Sequence, residues 1–249
     1  MGLIGKTLLL IFLVIIIVKR ASIVALFAKY KYSKGDYYGA LKIFNVADKV
    51  GNLGVGDKIL YGYNCLRCGE LEKAKKAFDI AYMITKPETA DRFRVRSLQA
   101  LLAWKQDDLE TAIEYLEEVY NADFKNTNLY QNLGIMYNLS GDYEKALEFN
   151  KEAYEYNSDD NIIVDNLADT YSLMGNYEEA EKVYVDLVNR DPEPRFPEAF
   201  YGYGEVLIKL GKRDEGIEMI EKSLTKPFSF LSLRPKEEIE AMLESYKND

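Results

Sequence analysis

Apolar residues follow two different patterns along this chain. The first is an unbroken apolar run, TLLLIFLVIIIV, over residues 7–18. The second covers most of the remaining chain, where apolar positions recur every three or four residues between polar ones. Such spacing is typical of amphipathic helices that bury one face. The pattern therefore predicts a short apolar helix followed by a series of amphipathic helices.

The amphipathic part of the chain is repetitive. Fragments around loop glycines resemble one another, among them SKGDYYGALKIFNVA, RCGELEKAKKAFDIA and LSGDYEKALEFNKEA. Aligning them places repeat starts at residues 21, 55, 93, 127, 161 and 197, at intervals of 34, 38, 34, 34 and 36 residues. A period of this length indicates stacked helix pairs, in which each pair contacts only its neighbours.

Three positions in each repeat carry small side chains. Of the eighteen residues at repeat positions 8, 20 and 27, sixteen are Ala, Gly or Ser, and the exceptions are Val119 and Leu187. Chance would place about three small residues at these positions, given their share of the chain. Small residues at fixed positions are expected where two helices cross closely, so the sequence predicts an all-α fold.

The best repeats resemble the tetratricopeptide repeat (TPR) pattern W-x2-L-G-x2-Y…A-x3-F…P. The matching residues are Tyr130, Leu133, Gly134, Tyr137 and Ala146, then Leu167, Ala168, Tyr171, Ala180, Tyr184 and Pro192. The resemblance covers about residues 21–230 and implies a right-handed α-solenoid of about six helix-turn-helix repeats. The implied repeats span residues 21–54, 55–92, 93–126, 127–160, 161–196 and 197–230. The first and third depart from the pattern, since Lys31 and Ala103 occupy its tyrosine position.

The chain after the last repeat, residues 231–249, is predicted to cap the stack. Within it, Ile239, Met242, Leu243 and Tyr246 would share one face of a helix, with charged residues elsewhere. A terminal helix of this kind solvates the end of a repeat array.

Residues 1–20 are predicted to form an N-terminal membrane anchor, with residues 3–18 in the lipid bilayer. The apolar run is shorter than the ~20 residues of a typical membrane span. A cleaved secretory signal peptide is the alternative, but Lys19 and Arg20 lie where cleavage would occur and no A-x-A site precedes them. Lys and Arg are more numerous after the run than before it, which predicts a single-pass protein with cytoplasmic repeats.

Composition restricts the chemistry. The chain has no histidine and a formal net charge of −9, so a nucleic-acid partner is not expected. Residues 1–92 hold 15 basic and 8 acidic residues, whereas residues 93–249 hold 17 and 33. The pair Cys65 and Cys68 lacks the further ligands that a zinc site needs. We predict no catalytic residue, metal, cofactor or small-molecule substrate.

The TPR resemblance also implies a binding groove lined by the first helix of each repeat. In that family, asparagines at repeat position 6, here Asn132 and Asn166, hold a peptide backbone, although consensus alone would also explain them. The chaperone-tail carboxylate clamp of the family is not recognisable. The candidate residues for binding a peptide or partner are Tyr63, Arg67, Arg94, Lys105, Gln131, Asn132, Asn166, Asp169 and Tyr201.

These features predict a membrane-tethered adaptor that binds an extended peptide or a partner protein in the groove. The alternative is a structural or assembly subunit of a larger membrane complex, which would use the convex face and the anchor helix. An enzyme is not expected, because no arrangement of residues suggests an active site.

Overall fold

The computed structural model describes residues 3–248, and every regular element among them is an α-helix. The helices are α1 (Leu3–Ser33), α2 (Tyr37–Val50), α3 (Val55–Arg67), α4 (Leu71–Ile84), α5 (Ala90–Trp104), α6 (Leu109–Asn121), α7 (Thr127–Ser140), α8 (Tyr143–Tyr156), α9 (Asn161–Leu173), α10 (Tyr177–Val188), α11 (Glu198–Lys209), α12 (Arg213–Ser223) and α13 (Lys236–Asn248). The third repeat was predicted to begin at residue 93, but α5 begins three residues earlier.

The chain divides into two compact units. Unit 1 ends at Leu102 and unit 2 begins at Ala103. In unit 1, α1 packs on α2 and α3 packs on α4. In unit 2, α7, α9 and α11 pack on their partners α8, α10 and α12, and α13 contacts α12.

Two of the short connections within the repeats are a glycine followed by a capping aspartate, Gly35–Asp36 and Gly141–Asp142. Gly141 has φ = +82°, a left-handed conformation that favours glycine, and it ends α7. The next residue, Asp142, caps α8 by accepting a hydrogen bond from the amide of Lys145. Where glycine is replaced, Asp107 takes a left-handed φ of 62° and Asp108 caps α6. A glycine followed by an aspartate thus ends one helix and begins the next.

The small residues at the predicted crossing positions are all buried. A close crossing joins α11 and α12, where a Cβ added at Gly204 would lie 2.7 Å from the carbonyl oxygen of Gly216. A Cβ added at Gly216 would meet the carbonyl oxygen of Gly204 at the same distance, 2.7 Å. Backbone therefore packs on backbone here, which explains why both positions hold glycine.

Helix α1 carries the predicted anchor. Among the described residues, none of the helices combines the length and the apolar character needed to cross a membrane. The side chains of Leu8, Leu9, Leu13, Ile15 and Ile16, which belong to the predicted anchor, lie outside the described part of the chain. The membrane-spanning helix predicted from the sequence is therefore unsupported.

The C-terminal helix α13 covers the end of unit 2. Its Ile239 and Leu243 form a buried apolar cluster with Tyr201 of α11 and Ile220 of α12. Between α12 and α13 the chain is irregular over residues 225–235. We call this segment the strap, because its contacts tie it to first helices of unit 2.

Candidate peptide-binding face

The first helices of unit 2 present one polar surface. We define the inner face as a set of side chains of α7, α9 and α11, the first helices of their repeats. The list is Asn128, Gln131, Asn132, Ile135, Asn138, Asp165, Asn166, Asp169, Ser172, Glu198, Tyr201, Glu205 and Lys209. Contacts between α7 and α9 and between α9 and α11 hold these helices side by side.

Asparagine side chains join α7 to α9. Asn138 donates from Nδ2 to the carbonyl oxygen of Asn166 (3.0 Å) and to Oδ2 of Asp169 (3.1 Å). Asn166 donates from Nδ2 to the carbonyl oxygen of Gln131 at 2.9 Å. Behind them, Asn150 donates to Oδ1 of Asn138 (3.1 Å) and to Oγ1 of Thr170 (2.9 Å). Such a buried network fixes the spacing of the two helices.

Four carboxylates of the inner face form an acidic cluster, which comprises Asp165, Asp169, Glu198 and Glu205. Burial raises the pKa of Asp165 well above its usual range, and the charges of Asp169 and Glu198 raise it further. Burial also raises the pKa of Asp169, to about 6, although its hydrogen bond from Asn138 acts in the opposite direction. The pKa of Glu198 is raised by burial as well. These raised pKa values mean that burial favours the protonated forms of these carboxyl groups.

The strap lies against this acidic cluster. The Nζ of Lys105 donates to the carbonyl oxygen of Ser232 at 2.9 Å. The backbone N–H of Leu233 donates to Oε1 of Glu198 at 2.9 Å. These two contacts hold backbone groups of the strap, so side chains of unit 2 bind a non-helical segment that contains a turn through its main chain.

Arg234 is the strap residue that makes the most contacts with the cluster. Its Nη1 lies 3.2 Å from each carboxylate oxygen of Glu205. Its guanidinium carbon lies 5.2 Å from the centroid of the Tyr201 ring, within the range of a cation–π interaction. The guanidinium is therefore held by both a carboxylate and an aromatic face.

Two buried polar atoms near the cluster lack hydrogen-bond partners among the described residues. They are Oδ1 of Asp165 and the hydroxyl oxygen of Tyr201. Asp165 is 6% exposed and Tyr201 is 5% exposed. Because buried polar atoms are nearly always paired in folded proteins, these two atoms mark a place where a donor is missing.

Comparison with known proteins identifies the repeat. Family models described as tetratricopeptide repeat match residues 97–161, 138–196 and 197–225, and together they cover just over half of the chain. The chain belongs to the tetratricopeptide repeat family. No curated protein matches the sequence.

Solved structures of TPR proteins share the fold at low sequence identity. A TPR protein from Parabacteroides merdae matches with a TM-score of 0.74 and 14% identity, covering 92% of this chain and 85% of its own. PilW, described as a type IV pilus biogenesis factor, matches with a TM-score of 0.66 and 15% identity over 82% of this chain and 92% of its own. YrrB, described as a TPR protein with an unusual peptide-binding site, has a TM-score of 0.50 and 18% identity over 78% of this chain and 92% of its own.

Six of the residues predicted to bind a partner lie in unit 2 of this TPR protein. Lys105 and Tyr201 contact the strap, and Asp169 belongs to the acidic cluster. The side-chain amide of Gln131 donates to Asp160 at 2.8 Å, and its backbone carbonyl oxygen accepts the hydrogen bond from Asn166.

The two asparagines at repeat position 6 differ in their surroundings. Asn132 is partly exposed on α7. Asn166 is 3% exposed, and its amide nitrogen already bonds to α7. A role of Asn166 in holding the inner face together therefore accounts for its position without a ligand.

The other three predicted residues lie in unit 1. Arg67 places its guanidinium 4.1 Å from the ring centroid of Tyr37 and 5.9 Å from that of Tyr63. Arg94 is exposed and forms an ion pair with Asp91 of the same helix, at 2.9 Å. Contacts within unit 1 thus account for the placement of these side chains.

Cys65 is fully buried. Burial raises the pKa of its thiol to about 12, which leaves the thiolate scarce at neutral pH. Cys65 therefore has the character of a core residue.

The strap contacts were absent from the sequence-based site. Arg234 and the backbone of residues 232 and 233 were not among the predicted binding residues. One signal could have indicated them: Pro227 and Pro235 bracket a short segment, FSFLSLR, that does not fit the repeat period.

Proposed function

We propose that this TPR protein is an adaptor that binds an extended segment of a partner protein on the inner face of unit 2. The observation that carries the proposal is the main-chain recognition of the strap by Lys105 and Glu198. A surface that holds one non-helical segment by its backbone has the chemistry to hold another. Family membership supports this role, and the proposed role includes no catalytic step.

Site-specific photo-crosslinking in host cells tests the location of binding. A photoreactive amino acid replaces Asn132 or Ser172 on the inner face, or Tyr154 or Val185 on the second helices, all of which are at least partly exposed. We expect a discrete crosslinked partner from the inner-face positions and none from α8 and α10. Crosslinks confined to α8 and α10 would exclude binding on the inner face.

We further propose that the N-terminal part of α1 tethers the protein to a membrane, with the repeats on the cytoplasmic side. Large apolar side chains stand exposed along it: Leu10 is 63%, Phe12 58% and Val18 69% exposed. Exposing such a row to water is unfavourable, and lipid would cover it. The basic residues Lys19 and Arg20 come directly after Val18 in the sequence, where they would lie beside anionic lipid headgroups.

Flotation with vesicles of phosphatidylcholine and phosphatidylglycerol tests the tether. We expect the full chain to float with the vesicles and Leu10→Glu/Phe12→Glu to remain in the bottom fraction, because two charges oppose insertion of this short helix. Lys42→Glu, on the exposed side of α2, is the control and should float like the wild type. Equal flotation of the double variant would refute the tether at these residues.

A second candidate function is that of an assembly subunit of a larger membrane complex. The observation that favours it is an exposed apolar face on α1 within the first repeat, where Leu26 is 59%, Phe27 65% and Tyr30 63% exposed. A photoreactive group at Leu26 or Phe27 separates the two functions. Crosslinks from these positions alone favour the assembly subunit, whereas crosslinks from the inner face alone favour the adaptor.

A further inference from the structure

The strap has the features of a bound peptide. Residues 225–235 have no helix, and prolines at 227 and 235 keep both ends from joining the helices beside them. Two of its contacts are made through backbone groups, at Ser232 and Leu233, and a third through one side chain, Arg234. Main-chain contacts combined with side-chain anchors are a common way in which non-helical peptides are recognised.

The position of Arg234 is chemically suited to a guanidinium. Glu205 supplies two oxygens at equal distances of 3.2 Å, and the ring of Tyr201 supplies a π face. Glu238 of α13 adds a weaker ion pair at 3.6 Å. An ammonium group would keep the charge but could not reproduce the planar contacts.

The strap does not satisfy the acidic cluster. Of its four carboxyl groups, the strap contacts Glu205 through Arg234 and Glu198 through the backbone N–H of Leu233. Oδ1 of Asp165 and the hydroxyl of Tyr201 also stay without a partner in the described part of the chain. A ligand with a further donor beside its guanidinium would therefore fit the cluster better than the strap does.

We propose that the strap is an internal ligand, and that the partner peptide displaces it and places an arginine between Glu205 and Tyr201. This proposal rests on the proposed binding of a partner on the inner face and names the side chain that the partner must carry. The strap is covalently attached, so its effective concentration is high, and Lys226 and Phe228 also hold it, through an ion pair with Glu193 at 2.6 Å and through packing on the apolar cluster of α11–α13. Displacement is nevertheless feasible, because Pro227, Phe230 and Pro235 are exposed and make the strap easy to lift.

Binding of the strap sequence in trans tests the proposal. The probe is a fluorescent synthetic peptide of residues 226–236, made with arginine or with its neutral isostere citrulline at position 234. The receptors are full-length wild type, Arg234→Ala, and Arg234→Ala/Glu205→Gln, measured by fluorescence anisotropy. Arg195→Ala removes an exposed arginine of the same unit and serves as the matched control. Circular dichroism establishes that each variant is folded.

We expect the arginine peptide to bind Arg234→Ala at least tenfold more tightly than wild type or Arg195→Ala, because the internal arginine no longer competes. Citrulline should weaken binding to Arg234→Ala about tenfold or more, since a charge-assisted hydrogen bond is lost. Adding Glu205→Gln should bring the two peptides close to equal affinity.

Equal binding of the arginine and citrulline peptides to Arg234→Ala, or no binding by this variant, would overturn the proposal. So would an arginine preference that Glu205→Gln leaves unchanged. These results leave the proposed function standing as long as partner crosslinks still arise at Asn132 or Ser172. Loss of those crosslinks as well would reject the inner face as a binding surface altogether.

Discussion

Gly204→Ala is expected to destabilise unit 2 by about 3 kcal/mol. The added Cβ would lie 2.7 Å from the carbonyl oxygen of Gly216 and 2.6 Å from Cγ1 of Ile220. A side chain such as Ile220 can rotate away, but a carbonyl oxygen within α12 is fixed by the helix. The two helices must therefore separate, which opens the core that they share with α13.

Urea unfolding followed by circular dichroism measures this effect. Gly56→Ala is the matched control, because Gly56 lies in α3 with nothing within 4 Å of its added Cβ. Alanine favours a helix over glycine by up to about 1 kcal/mol, so the control should be neutral or slightly stabilising. A Gly204→Ala midpoint equal to that of wild type would show that α11 and α12 cross less closely than described.

The helix crossings could be predicted because their cause is local and repeated. Each repeat needs a small residue at the same three positions, so the steric requirement appears six times in one sequence. Ala146 and Ala180, for example, occupy equivalent positions in successive repeats, and both are fully buried. Leu187, a larger residue at one of these positions, is also buried. Burial at this position is therefore kept even where the side chain is not small.

The candidate site could be predicted only in part. Repeat positions indicated Lys105, Asp169 and Tyr201, because the first helices of the family line a groove. The strap contacts were missed because they join residues far apart in sequence: Lys105 and Ser232 are separated by 127 positions. No periodicity connects such residues, and the strap lies outside the repeat.

Asn166 illustrates a different limit. Its residue type and repeat position fitted either a grip on a ligand or family consensus alone, and in the structure its amide bonds to the backbone of Gln131. An asparagine can donate to a ligand or to a neighbouring helix with the same group. Only the packing of α7 against α9 distinguishes the two uses, and that packing cannot be read from the sequence.

Asp165→Asn is expected to stabilise the protein at neutral pH, by on the order of 2 kcal/mol. Asp165 is buried beside other acids, and its pKa is raised well above the usual range by that burial. The folded state therefore binds a proton that the unfolded state has released, so stability falls as pH rises above about 4, the ordinary pKa of aspartate. Asparagine keeps the shape of the side chain and removes this penalty.

The groups that face Asp165 determine the pH range over which stability is lost. Asp169, whose pKa is raised to about 6, contributes in the same direction, so wild type should lose stability from about pH 4 through pH 6 and above. The titratable and charged groups around the cluster are Asp169, Glu198, Glu205, Lys105, Arg234, Tyr184 and Tyr201. Because these groups are unchanged in Asp165→Asn, the difference between the two proteins isolates one carboxyl group.

Urea unfolding at a series of pH values from 4 to 8 tests this expectation, with Asp214→Asn, an exposed position in α12, as the control. The advantage of Asp165→Asn should be absent near pH 4 and grow with pH, while the control stays close to wild type. An Asp165→Asn protein that is less stable at every pH would mean that the carboxylate is needed by the fold. The expected result instead means that the fold tolerates a buried acid at a net cost, as proteins do at binding sites, where stability is sacrificed for an interaction with a partner.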